Sequence, residues 1–126
     1  MILRLQLKKW LFSAYTFAIV LLVILPLNSS SELNNITILQ LRGDYFFHIL
    51  MFLPWAFFRQ ATAFKILPWL MLGLLFAAGT EGLQYFLPWR AFNVNDLLAN
   101  GLGVLLSLLS VKLMKISKHW RSKVKQ

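Results

Sequence analysis

The chain has 126 residues, 59% hydrophobic and only 13% charged, with a mean hydropathy of +0.66; soluble domains carry about 25% charged residues. That composition excludes disorder, a coiled coil and an ordinary soluble enzyme, and the lack of cysteine excludes disulfides, thiolate metal sites and thiol catalysis. The net charge of +9 does not indicate nucleic acid, because the basic residues lie between long apolar runs and not on a soluble face.

The expected class is all-α: an integral membrane bundle of four transmembrane helices forming a single domain over residues 1–126. A span needs about 20 mostly apolar residues to cross roughly 30 Å of hydrocarbon. The first is expected over about 10–27, where Trp10 to Leu27 contains no charge and Pro26 falls near the outer end. The polar stretch Asn28 to Asn35 reads as a loop. A second span is expected over about 39–58, short in its apolar run, so that Asp44 and His48 lie at or just inside one interface. A third covers about 66–87 and a fourth about 96–112, followed by a basic tail, 112–126. An alternative treats residues 1–31 as a cleaved signal peptide; the long apolar stretch and the poor cleavage site Asn28-Ser29-Ser30 argue against it.

Counting Lys and Arg at the span ends sets the orientation. Arg4, Lys8, Lys9, Arg59, Lys65 and the tail residues Lys112, Lys115, Lys118, Arg121, Lys123 and Lys125 fall on one side, and only Arg42 and Arg90 on the other. Both termini are therefore expected in the cytoplasm, with the tail also touching anionic lipid.

The four acids, Glu32, Asp44, Glu81 and Asp96, all fall on the side opposite that tail. Glu32 belongs to the polar loop. The other three flank or enter apolar helices, where an ionisable group is costly and points to function. Helical spacing places Asp44 with His48, Glu81 with Gln84 and Tyr85, and Asp96 with Asn100 on shared faces. Glu81 lies about 24 Å along its helix from Lys65, level with the other two pairs, and Arg90 follows directly above. Small residues continue these faces inward: Gly73, Ala77 and Thr80 in span three; Gly103, Ser107 and Ser110 in span four. They let helices approach closely, so the polar groups are expected to face the bundle interior. Purely structural roles also fit the pattern: Asp44 pairing with His48 or Arg42, Glu81 pairing with Arg90, Asp96 capping span four, and Asn100 and Gly103 serving as packing residues.

Three segments carry a resemblance. Gly43-Asp44-Tyr45-Phe46-Phe47-His48 resembles the Asp-x-x-x-His opening of VanZ-like proteins. Glu81 to Arg90 is similar to their Glu-x-x-Gln-x-aromatic-x-x-x-Arg element, and Asn95 to Gly103 to their closing Asp-x-x-x-Asn-x-x-Gly motif. The set spans about residues 42–105 in the family's order. One departure lies in Ala91-Phe92-Asn93-Val94-Asn95, where family members often carry small or hydroxyl residues. The resemblance implies a multi-span protein of the bacterial cytoplasmic membrane. The family takes its name from a glycopeptide-resistance cluster whose member lowers susceptibility to teicoplanin.

The leading functional expectation is an envelope protein whose outward pocket holds a lipid-linked or glycolipid headgroup. Asp44, His48, Glu81, Gln84, Arg90, Asp96 and Asn100 would line it, with Trp89 and Tyr85 at headgroup level. Arg90 would offer its planar fork to phosphate or carboxylate. Membrane lipids, an envelope glycolipid or a lipoglycopeptide are the expected partners, and no organic cofactor is called for. The alternative is an intramembrane hydrolase or transferase acting on a lipid-linked headgroup, with Asp44, His48 and Glu81 as catalytic candidates. They would work as general acid and base, or by holding Mg²⁺, Mn²⁺, Ca²⁺ or Zn²⁺. A transporter component fits least, because no ionisable group lies deep in a span and four short spans would enclose a path only as an oligomer.

Overall fold

A computed structural model describes residues 2–25, 37–38, 41–62, 64–90 and 92–124. The expected loop Asn28 to Asn35, together with Pro26, Glu32 and Ala91, lies outside the described residues. Helix α1 spans Ile2–Ile24 and so begins well before Trp10. Among the described residues a short antiparallel pair follows, β1 (Thr37–Ile38) with β2 (Leu41–Arg42), in the register Thr37 to Arg42 and Ile38 to Leu41. Helix α2 (Gly43–Phe52), a 3₁₀ segment (Trp55–Ala61), α3 (Ile66–Tyr85) and α4 (Val94–Val124) complete the described elements.

Among the described residues, three helical stretches are long and apolar enough to cross a membrane: Ile2–Ile24, Ile66–Tyr85 and Val94–Ser117. The fourth member of the bundle is shorter and built in two parts. Helix α2 has ten residues, about 15 Å at 1.5 Å per residue. Pro54 has no N–H to continue the ladder, so the helix closes with Leu53 N–H on the Ile49 carbonyl, 3.0 Å. The chain then resumes as the 3₁₀ segment, about 14 Å long at its steeper rise. Its Ala56 N–H donates to Ser107 Oγ of α4 across 3.2 Å, a cap supplied by a neighbouring helix.

Helices α2 and α4 make the most extensive contact in the bundle. They run parallel, as the successive pairs Tyr45–Asn95, His48–Asn100 and Ala56–Ser107 show. Gly103 sets their separation. A Cβ there would sit 2.5 Å from the Ile49 carbonyl oxygen and 3.0 Å from Phe52 Cβ, so only glycine admits the backbone of α2 at this distance. Gly73 does the same for α3, because its missing side chain is the space taken by the Trp55 indole and Val104.

The apolar core gathers around Trp55 and Trp69, each about 1% exposed. Their rings stack with centroids 5.0 Å apart. Each indole also donates to the other's backbone: Trp55 Nε1 to the Trp69 carbonyl (3.1 Å) and Trp69 Nε1 to the Trp55 carbonyl (3.2 Å). Phe12 of α1 packs on both rings and Phe76 stacks on Trp55. Helix α1 is tied in further by Tyr15, whose hydroxyl donates to the Met51 carbonyl at 2.7 Å, near the end of α2. The basic Lys112, Lys115 and Lys123 lie exposed on the far part of α4, which continues as helix where a tail was expected.

Replacing Gly103 with Ala is expected to lower stability by about 1–3 kcal/mol through overpacking. Gly79→Ala is expected to be neutral or mildly stabilising, because nothing lies within 4 Å of its added carbon. Thermal unfolding of the two variants in detergent checks the contrast.

Candidate functional site

At the end of the bundle away from the paired tryptophans, polar side chains from α2, α3 and α4 meet. Asn100 stands at the centre with no exposed surface. Its Nδ2 donates to Glu81 Oε1 at 2.9 Å, and its Oδ1 lies 2.9 Å from His48 Nδ1. With the amide set this way, His48 Nδ1 donates to Asn100 Oδ1 and Nε2 turns toward Asp96, whose Oδ2 is 3.8 Å away. His48 Nδ1 is also 3.8 Å from Glu81 Oε1. One amide therefore joins the imidazole of α2 to the carboxyl of α3, and the second nitrogen of that imidazole faces a second carboxyl.

The packing of the small residues makes this convergence possible. Ala77, Thr80, Glu81 and Gln84 are all buried on one face of α3, and Asp96, Asn100 and Ser107 on one face of α4. Thr80 Oγ1 donates back to the Ala77 carbonyl at 2.8 Å and so brings no unmet polar atom to the interface. Glu81 does. It has no exposed surface, its Oε1 is bonded to Asn100, and its Oε2 is buried without a hydrogen-bond partner. Most buried polar groups in proteins are bonded, so a bare carboxyl oxygen calls for an explanation.

Arg90 is the second such case. Glu81 and Arg90 do not form the direct ion pair that their spacing allows; instead Arg90 Nη2 donates to the carbonyls of Leu22 and Leu25 at 3.2 Å each. Beside it Trp89 Nε1 donates to the Ile24 carbonyl at 2.9 Å. These carbonyls end α1, where a helix has no intrahelical donors left and the dipole favours a cation. The loop after α3 thus caps α1. Arg90 Nε remains buried with no partner.

The start of α4 also differs from the expected cap. Asn93 holds that position: its Oδ1 accepts the Asn95 N–H at 3.0 Å, and its Nδ2 donates to Asp96 Oδ1 at 3.2 Å. Asp96 sits three residues further on, oriented by the cap in the manner of a capping box. Asn95 Nδ2 donates to the Tyr45 hydroxyl at 3.3 Å and fastens α4 to α2. Asn93 was not among the sequence candidates, although Asn-x-x-Asp ahead of an apolar run is a legible capping signal. It supplies polar bonds in the very stretch that departs from the family pattern.

The remaining candidates lie close by. Asp44, in the first turn of α2, is buried and accepts the Tyr45 N–H at 3.1 Å. Gln84 is buried one turn beyond Glu81 but shares no hydrogen bond with the Glu81–Asn100–His48 chain. Tyr85 and Trp89 are exposed. Among the described residues, no three His, Asp or Glu side chains are grouped so as to hold a metal ion.

The VanZ/LLP1 family model matches residues 10–115. The chain belongs to the VanZ/LLP1 family. No curated protein and no solved structure matches it. The three VanZ-like motifs occupy consecutive places in the bundle: the Asp44/His48 element opens α2, the Glu81-to-Arg90 element closes α3, and the Asp96/Asn100 element opens α4.

Replacing Asn100 with Leu strands Glu81 Oε1 and His48 Nδ1 together, and each stranded buried group costs about 1–3 kcal/mol. Pairing Asn100→Leu with His48→Leu should cost less than the sum of the two, by roughly 0.5–3 kcal/mol. A double-mutant cycle of unfolding free energies in detergent measures this; strict additivity would show that the two side chains do not interact.

Proposed function

We propose that this VanZ/LLP1 protein is a multi-pass protein of the bacterial cytoplasmic membrane that binds the polar headgroup of an envelope lipid where α2, α3 and α4 converge. In this reading both termini are cytoplasmic, as the distribution of Lys and Arg favours, and the pocket opens toward the outer leaflet. His48, Glu81, Asp96 and Asn100 form its floor; Asp44, Gln84 and Arg90 complete its wall.

The observation that carries the reading is a pair of buried atoms with opposite needs. Glu81 Oε2 lacks a donor and Arg90 Nε lacks an acceptor. A headgroup that both donates and accepts answers both at once. A sugar's hydroxyls do so, as does phosphoethanolamine, with its ammonium toward the carboxyls and its phosphate toward the guanidinium. Exposure supports access as well: the His48 and Asp96 side chains retain 12% and 11% of their surface, whereas Glu81 behind them retains 1%.

A second reading has an observation of its own. His48 Nδ1 is held by Asn100, which is held by Glu81, so Nε2 is presented in a fixed orientation beside Asp96. An imidazole oriented through one nitrogen is the arrangement that general-base catalysis uses. Under this reading the protein is a hydrolase or transferase that works on the bound headgroup by acid and base.

Binding is checked with detergent-purified protein against a glycosyl diacylglycerol, phosphatidylethanolamine, phosphatidylglycerol and teicoplanin. Glu81→Gln and Arg90→Lys are each expected to weaken the preferred ligand about tenfold, since a hydrogen bond to a charged group is worth about 1.5–3 kcal/mol. Unchanged affinity in both variants would remove the pocket assignment. Release of a radiolabelled headgroup, abolished by His48→Gln while binding persists, would favour the enzymatic reading; no release from any of these lipids would exclude it for them.

A further inference from the structure

Between α3 and α4 lies a groove of about 430 Å³, lined entirely by apolar residues. Ala77 of α3 and Gly101 of α4 make its floor, and Leu74, Leu97 and Leu105 make its walls. The floor is low because two adjacent positions lack long side chains. A Cβ at Gly101 would meet only Leu74 Cδ2, in ordinary contact at 3.7 Å. The volume falls among the roughly 300–1,000 Å³ of small-molecule sites and is narrow beside a helix about 10 Å across. From Leu97 to Leu105 the groove follows α4 for about 12 Å, within the stretch Val94–Ser117 that is apolar enough to lie in a membrane.

Its position against the polar site gives it meaning. Glu81 follows Ala77 by four residues and Leu74 by seven, so the carboxyl stands on the same face of α3, one turn beyond the groove. Asp96 and Asn100 immediately precede the lining residues Leu97 and Gly101. One helical turn beyond this apolar groove, on the same face of α3, stands a buried carboxyl whose second oxygen has no partner. We propose that the groove seats one hydrocarbon chain of the same lipid whose headgroup meets Glu81, an inference that rests on the headgroup site above. The ligand is then an intact amphiphile recognised at two points. A soluble headgroup would satisfy the polar atoms and leave the groove unfilled, and a hydrocarbon without a polar group would do the reverse.

The test uses the full chain in nanodiscs containing phosphatidylethanolamine with a diazirine in mid-chain, with adducts mapped by mass spectrometry after illumination. Adducts concentrated on Leu74, Leu98, Leu102 and Leu105, all of which line the groove, are expected. Gly101→Leu, which fills the floor, should cut them about tenfold while the unfolding temperature holds. Glu81→Gln should cut them as well, because the headgroup no longer fixes the lipid. A loss in Gly101→Leu with wild-type yield in Glu81→Gln would support the chain seat and overturn the headgroup site. Adducts spread evenly over the outward leucines of α1, α3 and α4, and indifferent to Gly101→Leu, would overturn the seat and leave headgroup binding standing. Two copies per nanodisc with no lipid adducts at these leucines would overturn it in favour of a second copy of the chain.

Discussion

A carboxyl group without exposed surface, in a bundle of mostly apolar helices, constrains everything placed around it. Glu81 must find hydrogen-bonding partners from other helices, because its own backbone is already paired in α3. Asn100 answers one oxygen and passes the same constraint to His48 through its other end. Three helices are thereby fixed in relative height by two bonds of 2.9 Å. Gly103, one turn below Asn100, then lets α2 come close enough for His48 to reach. Polar bond and glycine contact act on the same pair of helices and require the same register.

Helix ends pose the next problem in an apolar setting, since open N–H and C=O groups have no water to turn to. This chain answers by lending side chains between elements. Arg90 and Trp89 close the end of α1, Tyr15 serves a carbonyl near the end of α2, Ser107 serves the start of the 3₁₀ segment, and Asn93 caps α4. The same loop that caps α1 carries Arg90, which belongs to the wall of the proposed pocket. Fold and candidate pocket thus share residues, and Arg90 belongs to both.

The broad architecture was legible because membranes enforce a simple code. Uninterrupted apolar runs of span length give helices, and rare acids at shared helical spacings mark an interior polar face. Spacing paired 48 with 44, 84 with 81 and 100 with 96 on their own helices, and counting residues along the spans, with the small-residue stripes, set the three pairs at one depth facing the interior. Which atom bonds to which could not. Nothing in one dimension says that Asn100 stands between His48 and Glu81, or that Arg90 turns to α1 instead of Glu81, because those choices depend on how far helices approach. The two-part form of the second element was hidden for a related reason: Pro54 marks a break in the helix, but a proline does not dictate the conformation of the residues beyond it. The helical continuation of α4 through the basic residues was hidden in turn, since Lys and Arg are good helix formers as well as membrane-end markers.

The reciprocal bonds between Trp55 and Trp69 have a consequence for how this protein can change over time. Each indole closes the backbone carbonyl of the other residue, and the two rings share one stacked space. Altering either partner alone opens a carbonyl and a void in the same step, so drift at one position is blocked until the other moves with it. Among diverging descendants the two sites should be inherited as a unit, kept together or replaced together, and a lineage that had lost only one would carry a compensating donor nearby.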